Sequence, residues 1–108
     1  MPNSRRSRHG RPMDGDQVRQ VRFRATKIGA GYDEQEVDNL LDRIALTLDD
    51  GPSPDASDAG RITSRQLADV QLQVIRFRDG YNRSDVDGFL NAAIAGLRDV
   101  ERQRERRQ

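Results

Sequence analysis

The side chains best equipped for chemistry are the carboxylates Asp33, Glu34, Glu36, Asp38 and Asp42. A general acid–base pair or a hard-cation site needs carboxylates that converge on a cleft. Here the spacing sends them elsewhere: Asp33 and Glu36 fit a helix cap and its third position, while Asp38 and Asp42 follow on the outward face of an amphipathic helix. Asp49-Asp50-Gly51 lacks the remaining ligand spacing of a calcium loop. There is no cysteine, so thiolate metal sites and disulfides are excluded, and His9, the only histidine, has no neighbouring ligand pattern that points to a catalytic or metal role. No glycine-rich phosphate cradle appears. The sequence therefore predicts no enzyme: catalytic, cofactor-binding and metal-ligating residues are all assigned as none.

What must be positioned instead is a repeat. Gly31-Tyr32-Asp33-Glu34-Gln35-Glu36-Val37-Asp38-Asn39-Leu40-Leu41 returns as Gly80-Tyr81-Asn82-Arg83-Ser84-Asp85-Val86-Asp87-Gly88-Phe89-Leu90, after a gapless shift of 49 residues. The register extends upstream, with Gln17 on Gln66 and Val21 on Val70. Self-similarity at a fixed period defines the unit from which the fold is built. A unit of about 36 residues is too small to hold a core alone without metal or disulfide. The two units must share one.

Each unit reads as a short helix, a crossing loop and a longer helix. Asp14 with Gln17, and Thr63 with Gln66, have capping-box spacing, and Met13 with Val18 has staple spacing. The segments Phe23–Ala30 and Leu72–Asp79 mix apolar residues with Arg and Lys and read as extended or irregular loops, with Phe23 and Leu72 turned inward. Gly31 and Gly80 offer positions for a positive-φ turn. Tyr32 and Tyr81 can staple onto Val37 and Val86, Asp33 and Asn82 cap the long helices, and Glu36 and Asp85 complete the first turn.

Along those helices Val37, Leu41, Ile44 and Leu48, then Val86, Leu90 and Leu97, step by threes and fours, widened by Leu40 and Phe89. Such stepping predicts a short coiled-coil-like pairing seam. The fold class expected is all-α: two helix-loop-helix repeats paired as a pseudo-dimer within the chain or in an oligomer. The divisions are a disordered basic arm (1–12), repeat 1 (13–48), a flexible acidic Pro/Gly linker (49–60), repeat 2 (61–100) and a charged, frayed tail (101–108).

The net charge of +1 conceals a division: residues 1–12 carry +4 and residues 98–108 carry +2, against −5 over residues 13–97. Basic ends on an acidic body suit polyanions, membranes or acidic partners. No apolar run is long enough for a membrane span and no secretory signal precedes residue 13, so a cytoplasmic protein is expected.

The two Gly-Tyr helix starts, with Val21-Arg22-Phe23 ahead of the first, resemble the DivIVA family, cytoplasmic scaffolds of bacterial division and polar growth. The resemblance covers about two-thirds of the chain. It implies a short helix and crossing loop leading into a helix that dimerises in parallel, and a loop before Gly-Tyr whose apolar residue and arginine dock on membrane. Ile28, and Phe77 with Arg78, hold the corresponding places, although Gly29-Ala30 and Asp79 intervene. The family's heads continue into long coiled coils, which do not follow here. The expected function is a non-catalytic scaffold or adapter, peripheral at septum or pole, binding a DivIVA-family scaffold or another copy of itself, with weak anionic membrane contact. The rival reading is a small nucleic-acid-binding protein whose arginine tails grip phosphate and whose repeats imitate a helix-turn-helix. The acidic outer face of the long helices weighs against it.

Overall fold

The computed structural model describes residues 13–26, 29–52, 60–76 and 78–107. Among the described residues there are four helices and four two-residue strands, in the order α1 (Gly15–Gln20), β1 (Ala25–Thr26), β2 (Gly31–Tyr32), α2 (Glu34–Asp50), α3 (Ser64–Ala68), β3 (Val74–Ile75), β4 (Gly80–Tyr81) and α4 (Arg83–Arg107).

The helix starts follow from local chemistry. Asp14 accepts the Gln17 amide while Gln17 Oε1 accepts the Asp14 amide, at 3.0 and 2.9 Å. Thr63 and Gln66 repeat this reciprocal pair at α3, again at 3.0 and 2.9 Å. Asp33 takes the Gln35 amide at 2.9 Å, and Asn82 takes the Asp85 amide at 2.9 Å. Amides that a helix cannot satisfy internally are thus absorbed by side chains of its own turn.

The strands correct the all-α expectation. They form one antiparallel sheet in the order β1-β4-β2-β3, so the fold is α+β. Ala25 faces Tyr81 and Thr26 faces Gly80, while Tyr32 faces Val74 and Gly31 faces Ile75. At the centre Tyr32 faces Tyr81. The outer pairs exchange under the 49-residue shift, so the sheet has a pseudo-two-fold axis through the two tyrosines. Each edge strand pairs only with the other repeat. Two-residue strands are too short to display a period-two pattern. Their partners lie about fifty residues away, beyond any hairpin signal.

Gly31 and Gly80 also depart from expectation. Positive φ occurs among the described residues only at Gly29 and Gly51, at 95° and 86°. Gly31 and Gly80 instead allow two backbones to touch. A Cβ on Gly80 would stand 2.8 Å from the Tyr32 carbonyl oxygen, and one on Gly31 would stand 3.1 Å from that of Tyr81.

The helices enclose one core. α1 packs on α2, α3 packs on α4, and α2 crosses α4. Val18, Val37, Ile44, Leu48, Val86, Ala93 and Leu97 are at most 1% exposed within that shared cluster. The leading segments also reach across. Met13 lies beside Gly96 of α4, and the Ile62 amide donates to Thr47 Oγ1 of α2 at 2.9 Å. The α4 helix continues past its last apolar position, Val100, to Arg107. Beyond the stripe it is held by Glu101, which accepts the Ser64 amide and hydroxyl (both 2.8 Å), and by Arg104 Nη1 donating to the Pro52 carbonyl at 3.0 Å. Polar anchoring replaces the missing apolar face.

Candidate functional site: the crossing between repeats

The polar residues of the helix starts meet at the crossing, and each long helix serves the opposite repeat. Asp85, in the first turn of α4, accepts the Arg24 backbone amide at 3.0 Å and binds the Arg24 guanidinium through two further bonds of 3.0 and 2.8 Å. At the equivalent place Glu36 of α2 accepts the Gln73 amide at 2.8 Å. Backbone amides close the same corner: Asp33 donates to the Gln73 carbonyl at 3.0 Å and Asn82 donates to the Arg24 carbonyl at 2.8 Å. The acids read as first-turn dipole partners therefore cap strand ends of the other repeat.

The tyrosines are tied in the same reciprocal way. Tyr32 Oη donates to Asp87 at 2.7 Å and Tyr81 Oη donates to Asp38 at 2.9 Å. Burial and the Asp38 carboxylate push the Tyr81 phenol up to about 12; the bond to Asp87 and burial move Tyr32 in the same direction. Each ring packs against the cluster that includes Val37 and Val86, and its hydroxyl reaches across to the other repeat. The Phe23 ring packs against Tyr81 and Phe89 at centroid distances of 5.3 and 5.8 Å, and Arg83 lies 5.7 Å over the Tyr32 ring.

Of the pairing residues read from the stripe, Val37, Leu40, Ile44, Leu48, Val86, Leu90 and Leu97 are buried in the common cluster. Leu41 and Phe89 are half-buried and pack against it, as do Phe23 and Leu72. Leu41 borders a shallow groove of about 380 Å³ with Val21, Phe23, Asp38 and Tyr81. Arg78 is exposed and its guanidinium lies 3.5 Å from Asp33 across the repeats. Ile28 and Phe77, the other loop-contact residues, lie outside the described residues, as do the basic arm and most of the linker.

Chemically, the arrangement holds one repeat to the other. Of the five carboxylates read as candidates for catalysis, Asp33 caps α2 while Glu36 and Asp38 make cross-repeat bonds. Among the described residues no three acids or histidines gather into a cation-holding group, and no helix is long and apolar enough to cross a membrane. Compared with protein-family models, curated proteins and solved structures, the chain matches none of them.

Sequence reasoning missed Arg24 and Gln73 as ends of the crossing, and Asp38 and Asp87 as acceptors. A signal for the acids was present: Tyr and Asp are both identical between repeats, at the same separation. An exposed Asp kept in both copies beside a kept Tyr implies a bond, although nothing in spacing says that it runs between copies.

The Arg24 contacts hold the Asp85 carboxyl down at about 2. A carboxylate whose folded pKa is depressed adds stability above its unfolded value and loses it as pH falls through the folded one. Wild-type protein is therefore expected to lose stability between about pH 4 and pH 2 through this group. Asp85→Asn removes that part of the acid dependence, measured as thermal midpoint against pH. A variant profile superposing on wild type over this interval would show that the pair does not couple to folding.

Proposed function

We propose that the chain is a non-catalytic assembly module, resembling two DivIVA-type heads fused in tandem, that acts by protein–protein contact in bacterial cell division or polar growth. Its two repeats do within one chain what such heads do between two. In this reading the module sits in the cytoplasm, peripheral at septum or pole, and recruits or caps a scaffold of the same kind. The observation that supports it best is the reciprocal crossing at Tyr32 and Tyr81, where each Gly-Tyr segment is completed by the other repeat. That geometry turns the most specific part of the resemblance into a pairing surface. The engagement of Asp33, Glu36 and Asp38 in structural bonds supports a binding role over a catalytic one.

The test has two arms. A fluorescent fusion in the native host is expected at septa or poles, and affinity purification is expected to recover a coiled-coil division or polar-growth scaffold. Diffuse fluorescence together with salt-sensitive binding to duplex DNA, in place of a scaffold, would overturn the proposal in favour of nucleic-acid binding.

A further inference from the structure

β1 and β3 are the two edges of the sheet, and the pseudo-two-fold axis makes them counterparts. The 49-residue shift lays Val21-Arg22-Phe23-Arg24-Ala25-Thr26 on Val70-Gln71-Leu72-Gln73-Val74-Ile75. The two edges are nevertheless finished differently. We propose that β3 accepts a strand: it takes an extended segment of a partner protein, with an apolar side chain beside Val74 and a carboxylate beside Arg76.

Three observations carry this. First, the backbone of β3 is only half used. Asp33 donates to the Gln73 carbonyl and Glu36 accepts the Gln73 amide, so Gln73 spends both groups on repeat 1. In an antiparallel ladder such positions alternate with positions that bond on the opposite side. Val74, opposite Tyr32, is the next residue, and its amide and carbonyl turn away from β2. Among the described residues no strand lies beyond them. Second, an open edge is a template for pairing, and proteins ordinarily blunt it with charge. Repeat 1 does so with Arg22 and Arg24, both exposed. In repeat 2 glutamines stand in both places and Val74 stands for Ala25. Val74 is 37% exposed, the one large apolar side chain left so open among the described residues. Third, Arg76 follows the strand, exposed and without an ion-pair partner among the described residues, whereas Arg24 and Arg78 each meet an acid of the other repeat.

A second copy is the poorer occupant. Antiparallel pairing of two β3 edges about Val74 sets Arg76 opposite Leu72 and brings it no carboxylate. A bilayer surface offers phosphate but no extended backbone. In a partner segment, main-chain bonds at Val74 supply affinity and the flanking side chains supply selectivity. The edge is present wherever the module resides, so loss of septal recruitment and loss of strand binding are separate results.

The experiment uses ¹⁵N-labelled full-length chain and synthetic peptides of about seven residues, alternating valine and threonine. One carries glutamates at both ends and the other carries lysines. Addition of the glutamate peptide up to about a millimolar is expected to give saturable binding. At saturation the Val74 amide should exchange with solvent about tenfold more slowly, and the Ala25 amide at its original rate. The lysine peptide should bind about fivefold more weakly. Methylating the peptide nitrogens of alternate residues should abolish protection in one register and spare it in the other, because only one edge of the peptide meets Val74. Arg76→Glu is expected to reverse the preference between the two peptides. Gln73→Arg with Val74→Ala, which copies the edge of repeat 1, should remove protection while the thermal midpoint by circular dichroism holds. An unprotected Val74 at a millimolar peptide overturns the proposal, as does equal protection of Ala25. So does protection that rises with protein concentration in the absence of peptide, which marks a second copy. Protection by phosphatidylglycerol vesicles but by neither peptide overturns it in favour of a membrane surface.

Discussion

Gly80→Val is expected to remove a large fraction of the folding stability. A β-carbon at Gly80 stands 2.8 Å from the Tyr32 carbonyl oxygen, and the opposing atom is backbone. That backbone is held by the Tyr32–Tyr81 pairing and by the Asp33 amide bonded to the Gln73 carbonyl, so it has nowhere to retreat. Overpacking of a well-packed site costs about 1–3 kcal/mol, and branching at Cβ places this change at or beyond the upper end. Small domains hold about 5–15 kcal/mol in all, so the loss is a large fraction of the total. Urea denaturation followed by circular dichroism reads it as a strongly lowered midpoint. Gly88→Ala supplies the contrast: it lies on α4 with nothing within 4 Å of its Cβ position, and relief of glycine's conformational freedom should stabilise by about 0.5–1 kcal/mol. If Gly80→Val melts like wild type, the close approach at the crossing does not exist in solution.

The second large effect is expected in the common core. Ile44 and Leu97 are both fully buried, one on each long helix. Truncation to alanine removes transfer free energy and leaves a cavity, together about 2–5 kcal/mol. Ile44→Ala and Leu97→Ala should each lower the urea midpoint by a comparable amount, because both line the same cluster. Leu41→Ala should cost clearly less, since Leu41 is half-buried at the groove edge. Two separate transitions, each moved by only one of these core substitutions, would mean that the repeats hold independent cores.

Much of the helical part of this fold is legible from side chains alone, because its causes are local. Asp14 with Gln17 and Thr63 with Gln66 announce two short helices, and the step from Val37 to Ile44 announces a buried face. The sheet has no local cause. Ala25–Thr26 and Val74–Ile75 become strands only because Tyr81 and Tyr32 offer ladders from the other repeat. The glycines teach the same lesson. Gly31 and Gly80 suggest a turn when each is viewed in its own segment, yet what they accommodate is each other. The crossing was hidden for the same reason: Arg24 is an ordinary surface arginine until Asp85, 61 residues away, is placed beside it.

The strand order has a consequence for the chain as it is made. No part of the β1-β4-β2-β3 sheet can assemble before the strands of repeat 2 have been synthesised, so nothing of it is available to a nascent chain that holds repeat 1 alone. Until then the apolar stripe of α2 waits without its partner, and closure must span a long loop before any ladder rewards it. A protein this helical would ordinarily fold through near-neighbour contacts in microseconds to milliseconds; distant pairing moves it toward the slower range of mixed topologies. Emergence of the second long helix, rather than growth of the first helices, sets the moment at which the molecule becomes native.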